Sequence, residues 1–289
     1  AFKLCPQLML VPGNMDKYKA VSTDIQAIFH RYTDKVEPLS LDEAYLDVSD
    51  SPLFSGSATL IAEDIRRTIF HETGLTASAG VAPNKFLAKI ASDENKPDGL
   101  FVLPPDKVAA FVETLPLRKI PGVGQKTAER LAKLGLHWCR DIQQVSLPLL
   151  IKEFGSFAEV LIERSKGNDL REVQTERERK SIAVEQTFGQ DLHQLQEGQL
   201  SLHSLYEKLH KRVHRCDAKN HIQKIGIKLK FQDFRQTTIE RQHPELNFDI
   251  LQQLLQQAWQ RGDGRSVRLV GIHVGLKSAE AQAQLGFGW

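Results

Sequence analysis

Apolar residues recur at helical spacing over residues 15–31, where Tyr18, Val21, Ile25 and Phe29 would share one face. Leu60, Ile61, Ile65 and Ile69 form a second stripe that starts near Ser57 and stops near Gly74. The small alternating residues of "LTASAGVA" (75–82) predict a buried strand, and Pro83 then opens a helix carrying Phe86, Leu87 and Ile90. Strands interleaved with helices make this part α/β or α+β. From about 104 to 167 the pattern is wholly helical, with two short helical stretches around a Pro-Gly-Val-Gly turn in "LRKIPGVGQKTAERLAKLGL" (117–136).

Residues 168–179, "NDLREVQTERER", hold 7 charged residues of 12 without apolar periodicity and read as a linker. Beyond it the predicted order is a strand (180–188), a helix (195–215) with Leu202, Leu205, Leu209 and Val213, and the strands "IQKIGIKLKF" and "QTTIERQ". A helix (247–260) with Leu251, Leu254, Leu255 and Trp259 and a last strand, "VRLVGIHVGL", complete it. That order, β-α-β-β-α-β, is a split βαβ arrangement. The closing "KSAEAQAQLGFGW" is short and small enough to be a tail.

Composition excludes more than it identifies. With 41% hydrophobic and 26% charged residues, the 289-residue chain has the makeup of an ordinary globular protein of two or three domains. Its net charge of +2 conceals a gradient, from 9 Lys/Arg against 13 Asp/Glu over residues 1–95 to 15 against 11 over 180–289. Carboxylates concentrated at one site and a polyanion met elsewhere would produce this, as would ordinary solvated surfaces. Cys5, Cys139 and Cys216 have neither disulfide-framework nor zinc spacing, so a reducing, cytoplasmic compartment is expected. No apolar run approaches the ~20 residues of a membrane span, and no membrane partner is expected. The first residue is Ala, which suggests that it is not the first residue of the gene.

Four features bear on chemistry. In "PLSLDEAYLDVSD" (38–50), Asp42 and Glu43 are adjacent, and a regular strand would send them to opposite faces. Pro38 and Ser40 permit a bend that brings both to one hard cation such as Mg²⁺, although spacing alone favours a solvated acidic turn, and Asp47 and Asp50 fit that better still. In "VAPNKFLAKIASDENKPDG" (81–99), Lys96 follows a helix in a Pro/Gly loop and suits a triphosphate, whereas Lys85 and Lys89 read as a solvated helix face. Gly122 and Gly124 leave backbone N–H groups at a helix start, a phosphate site flanked by Arg118, Lys119 and Lys126. Lys224, Gly226, Lys228 and Lys230 share one strand face that, with Arg268, Arg265 and Lys180 on flanking strands, suits a phosphate backbone or is merely solvated.

Taken in order, "SLDEAYLDV", "TASAGVAPNKFLAKIASDENKPDG", "KIPGVGQKTAERLAKLGL" and the charged segment leading into "RKSIAVEQTF" resemble the DinB-type Y family of translesion DNA polymerases, over all 289 residues. The resemblance implies an α+β right-hand polymerase with a fingers remnant (1–12), a palm (13–103), a thumb (104–167) holding a helix-hairpin-helix (117–136), a linker (168–179), a β-α-β-β-α-β little finger (180–278) and a tail (279–289). It implies that Asp42 ligates catalytic Mg²⁺, two ions per active site, that Glu43 belongs to the same catalytic carboxylate set, and that Lys96 contacts the incoming deoxynucleoside triphosphate. Gly122, Gly124 and Lys126 of the thumb, with Lys224, Lys228, Lys230 and Arg268 of the little finger, are expected to hold primer-template DNA. The tail's "QLGF" resembles a clamp-docking motif, with Gln284, Leu285 and Phe287 as contacts to a sliding clamp. A monomer making low-fidelity, lesion-bypassing DNA is expected. The family's first palm strand, with a further metal-binding aspartate and an aromatic gate against ribonucleotides, and most of its fingers have no counterpart after "AFKLCPQLMLVPG", so roughly one fifth of a ~350-residue enzyme is expected to lie outside these residues. Residues 1–289 alone are therefore expected to be inactive. The competing expectation is a non-catalytic DNA-binding protein that uses the hairpin and the basic sheet, with Asp42 and Glu43 as surface acids. A helix-hairpin-helix nuclease would need further acids near Asp42, and the sequence does not clearly supply them.

Overall fold

Asn14 starts the first helix, α1 (Met15–Phe29): its side chain accepts from the Lys17 amide, satisfying one N–H that a helix start leaves without a partner. In the computed structural model, which describes residues 2–277, the buried positions of α1 are Ser22 and Ile28, while Tyr18 is half exposed. Ile28 clusters with Ile61, Ile65 and Ile69 of α2 (Ala58–Thr73), and Leu60 stays outside that cluster. Gly74 caps α2 in the left-handed conformation, which ends the helix where the sequence predicts.

Between these helices, β1 (Val36–Pro38) and β2 (Ala44–Leu46) form an antiparallel hairpin with Val36 opposite Leu46 and Pro38 opposite Ala44. Next come β3 (Ala79–Val81), α3 (Lys85–Glu94) and β4 (Leu100–Val102), a parallel pair joined by a crossover helix. The strand predicted over 75–82 thus shrinks to three residues, and among the described residues the strands of the predicted palm form two separate two-stranded ladders. Five short helices follow: α4 (Val108–Glu113), α5 (Gln125–Lys133), α6 (Cys139–Gln143), α7 (Leu147–Phe154) and α8 (Phe157–Ser165). Core residues of this helical region and its connections, including Leu117, Ile120, Leu131 and Leu161, cluster with Phe86 and Leu87 of α3. One continuous core therefore spans the predicted palm and thumb, and both fall in one compact unit that ends at Glu176.

The predicted linker does not begin at residue 168. The Asp169 carboxylate is buried and accepts from Arg164 Nη2 (2.7 Å), Arg171 Nη2 (2.8 Å) and the Phe86 amide (3.0 Å). Glu37 accepts from the Gln174 amide (2.8 Å), and the Glu172 carbonyl accepts from Lys85 Nζ (2.8 Å). Buried polar bonds, which no hydrophobic pattern reveals, thus pin residues 169–174 to the first unit.

The second unit starts at Arg177 and holds β5 (Ser181–Leu192), α9 (Leu195–Arg215), β6 (Ile222–Phe231), β7 (Gln236–Gln242), α10 (Phe248–Gln260) and β8 (Val267–Leu276). The sheet order is β5-β8-β6-β7, with every neighbouring pair antiparallel. Strands β5 and β6 therefore run parallel with β8 between them, and β7 and β8 run parallel with β6 between them, giving two interlocked split βαβ units. Ile225, Ile227, Leu229 and Phe231 face the helices and bury against Leu202, Leu205, Leu209, Leu251, Leu254 and Leu255. The alternation along "IQKIGIKLKF" leaves the opposite face of the sheet open. No helix among the described residues is long and apolar enough to cross a membrane.

Candidate active site and nucleic-acid interface

The bend permitted at Pro38 and Ser40 is the turn of the β1–β2 hairpin. The Glu43 carbonyl accepts from the amides of Leu39 (2.9 Å) and Ser40 (3.3 Å), and Ser40 Oγ donates to Asp42 Oδ1 (2.6 Å). Asp42 is exposed at the turn, and Glu43 immediately precedes β2, so neither is confined to the alternation of a regular strand.

Helix α3 borders this turn through two lysines. Lys85 is almost fully buried, lies 2.5 Å from Glu37 Oε2 of β1 and rests over the Tyr45 ring at 5.4 Å. One turn later, Lys89 pairs with Glu43 at 2.6 Å. The expectation of a solvated lysine face is overturned here: the i, i+4 spacing that puts both lysines on one side of α3 turns that side toward the hairpin's acids. Burial raises the Glu37 carboxyl, and the bonds from Lys85 and the Gln174 amide outweigh it, holding Glu37 below the usual carboxylate range.

Lys96 lies half exposed beyond the end of α3. Its ammonium is held above the usual lysine range, first by its bond to Asp93 at 2.7 Å and then by the charges of Asp93, Glu43 and Asp42. The structure therefore brings Asp42, Glu43, Lys89 and Lys96 into one neighbourhood drawn from the hairpin turn and α3. Hard carboxylate oxygens at an exposed turn are the donor chemistry that Mg²⁺ takes. Among the described residues, however, no group of three or more His, Cys, Asp or Glu is arranged to hold a metal.

In the thumb, Leu117–Lys119 form one turn of 3₁₀ helix where the sequence predicts the first helix of a hairpin. Gly122 has φ +98°, and a Cβ there would lie 3.0 Å from the Phe157 ring, so glycine is required at this turn. Gly124 is different: at φ −78° it is the N-cap of α5 in ordinary extended backbone, with open space around it. No side chain caps α5, so its first N–H groups face outward beside the exposed Lys126. Lys119 is committed to Glu94 at 2.5 Å.

The open sheet face is less positive than its lysines suggest. Lys224 pairs with Glu240 (2.7 Å), which also meets His273 (2.8 Å), and Lys228 reaches Glu185 (2.9 Å) across Gly271 of β8. Gly271 is needed for that crossing, since a Cβ there would press to 3.1 Å from Glu185 Cβ. Among the described residues Lys230 and Arg268 have no carboxylate partner, and they flank the exposed ring of Phe234 at 5.0 and 5.3 Å. Arg268 sits where the β6–β8 register shifts, between the pairs Lys230–Leu269 and Phe231–Val267, and that shift sends it toward Phe234. Sequence reasoning missed Phe234, an aromatic residue between Asp233 and Arg235 in the turn from β6 to β7. The clamp-motif residues Gln284, Leu285 and Phe287 lie outside the described residues.

Residues 1–93 match the impB/mucB/samB family, residues 179–287 match its C-terminal domain, and residues 118–169 match the thumb domain of DNA polymerase-iota. DNA polymerase IV of Shewanella halifaxensis is 55% identical over 278 residues, 96% of this chain and 78% of that protein. DNA polymerase IV of Pseudoalteromonas atlantica is 54% identical over 287 residues, 99% of this chain and 81% of that protein. Among solved structures, a Y-family DNA polymerase chimera of Dbh and Dpo4 matches with TM-score 0.86 at 27% identity, covering 95% of this chain and 80% of that one. An insertion ternary complex of Dbh DNA polymerase matches with TM-score 0.61 at 26% identity, covering 96% of this chain and 80% of that one. The class so defined is the DNA-directed DNA polymerase with an α+β right-hand fold. Within it, the chain belongs to the DinB-type Y family, the family of DNA polymerase IV.

Proposed function

We propose that this chain supplies part of the active site for template-directed translesion DNA synthesis by its parent enzyme, with Asp42 and Glu43 as its metal-facing carboxylates and Lys96 as its triphosphate contact. The observation that carries the reading is the shared neighbourhood of the Asp42–Glu43 turn and Lys96, in which the field of both carboxylates reaches the lysine. An anionic triphosphate at Lys96 would lie beside carboxylates able to hold its counter-cations. When bound there, two Mg²⁺ ions would supply Lewis-acid stabilisation of the transferring phosphoryl group and of the leaving pyrophosphate. Among the protein groups, Asp42 and Glu43 supply oxygen ligands, Lys89 holds Glu43 in place, and Lys96 neutralises triphosphate charge. Gly122, Gly124 and Lys126 offer backbone and ammonium donors to a primer-template phosphate, and Lys230 and Arg268 add cations at the end of the open sheet face. Low fidelity, a monomeric state, a cytoplasmic setting and clamp docking through Gln284, Leu285 and Phe287 complete the reading. Two adjacent carboxylates fall short of the ligands that two metal ions need, so residues 1–289 alone are proposed to be inactive.

One primer-extension experiment tests these points. In the whole-length protein, Asp42→Ala is expected to abolish Mg²⁺-dependent extension while leaving primer-template affinity within about threefold, as for a group that binds metal and not DNA. Unchanged extension by the variant would favour a non-catalytic DNA-binding protein. Normal extension by residues 1–289 alone would refute their inactivity.

A further inference from the structure

Four cations of the second unit that have no ion pair among the described residues lie together on α9. Residues 208–215, "KLHKRVHR", contain Lys208, Lys211, Arg212 and Arg215 and no acid. Positions 208, 211, 212 and 215 follow i, i+3, i+4, i+7, which puts all four cations on one stripe of the helix. The stripe borders a groove of about 530 Å³ whose other wall is the edge strand β5, at Val184 and Glu185. All four cations are exposed. None has a carboxylate within ion-pair distance among the described residues, and the one acid in the groove, Glu185, is already paired with Lys228. Arg212 alone is otherwise engaged, donating from Nη1 to the Ala183 carbonyl (2.7 Å), which fixes the helix stripe against the strand edge.

Favourable interaction with the helix dipole accounts for Arg212 and Arg215 in the last turn, but the effect falls off within that turn and does not reach Lys208. Four like charges within two turns repel one another, and without internal acids that repulsion is relieved by an external anion. We propose that this groove is a second nucleic-acid contact, separate from the open sheet face, that follows the phosphodiester backbone of a single strand. The cations form one row about 10 Å long at the helical rise. That length spans only a few successive phosphates of one strand, and among the described residues that line the groove every cation lies on this one row. No aromatic ring lines the groove, so the contact reads charge and not base.

The test is the salt dependence of binding to a fluorescein-labelled 20-nucleotide oligothymidylate, measured by anisotropy with the whole-length protein. The triple variant Lys208→Gln, Lys211→Gln, Arg215→Gln keeps Arg212, whose bond to Ala183 is structural. Removing three phosphate contacts is expected to reduce the slope of log K against log salt by about 2, and the affinity at 0.1 M salt by tenfold or more, in the manner of counterion release from single strands. A wild-type thermal midpoint would show that the variant folds. Should the triple variant not fold, Arg215→Gln alone is expected to reduce the slope by about 0.7. An unchanged slope overturns the proposal, as does an unchanged slope combined with lost binding of a labelled Asp/Glu decapeptide, which would make the groove a site for an acidic protein segment. Asp42→Ala is expected to keep the wild-type slope, so failure of the polymerase reading leaves this measurement intact.

Discussion

Asp169 gathers Arg164, Arg171 and the Phe86 amide around one buried carboxylate of the first unit. It is fully desolvated, which alone would raise its carboxyl, yet the bonds from Arg171 and the charges of Arg164 and Arg171 hold it down to about 2. Because the folded carboxyl titrates below its ordinary value of 3.8, the stability it contributes is complete above about pH 4 and is lost as the pH falls toward 2. The shift corresponds to roughly 2 kcal/mol at ~1.4 kcal/mol per pH unit. Urea midpoints measured from pH 5 to pH 2 should fall more steeply for the wild type than for Asp169→Asn, and equal pH dependence would refute the assignment. At neutral pH, Asp169→Ala should cost the first unit about 3 to 5 kcal/mol, because it leaves Arg164 and the Phe86 amide buried without their partner. Nothing in "NDLREVQTERER" sets Asp169 apart from its charged neighbours by type or spacing. Lys85 and Lys89 show the same limit, since periodicity assigns two lysines to one face of a helix and is silent on whether that face meets water or acids.

At the scale of elements, the apolar stripes were legible because burial requires them: Ile61, Ile65 and Ile69, and likewise Leu202, Leu205, Leu209 and Val213, all enter cores. The two split βαβ units of the second unit followed from element order for the same reason. Turns were legible only in part. The paired glycines of the PGVG turn look equivalent in sequence, but only Gly122 has a positive φ and a ring against its Cα. Gly122→Ala should therefore destabilise the first unit by roughly 1 to 2 kcal/mol and weaken primer-template binding. Gly124→Ala should stay within ~0.5 kcal/mol of wild type, as a substitution that meets open space at an ordinary backbone conformation. Thermal midpoints of the two variants decide this, and equal losses would mean that the turn needs both glycines. The site was legible to a similar degree: the bend at Ser40 that frees Asp42 and Glu43 follows from Pro38 and the delayed alternation. The pairing of Lys228 with Glu185 does not, because it depends on the sheet order and on Gly271 between β5 and β6.

For the molecule as a whole, the division at Glu176 and Arg177 separates the two hydrophobic clusters of the first unit from the one cluster of the second, with no residue shared. Each unit therefore has core of its own and the means to fold without the other. The boundary is narrower than the charged segment suggests. Residues 169–174 are bonded to the first unit through Asp169, Glu172 and Gln174, and Leu276 of β8 donates its amide to the Lys180 carbonyl in the second. Residues 175–179 between those anchors are exposed, and they include Arg177 and Arg179. Limited trypsin digestion of the native protein should therefore cut first at these two residues and yield two stable fragments that separate by size. Tryptic sites at Lys166 and Arg171 precede or fall within the pinned stretch and should resist. A first cut at Arg171 would show that the Asp169 network does not hold this segment in solution, and would remove the basis for the stability loss expected of Asp169→Ala.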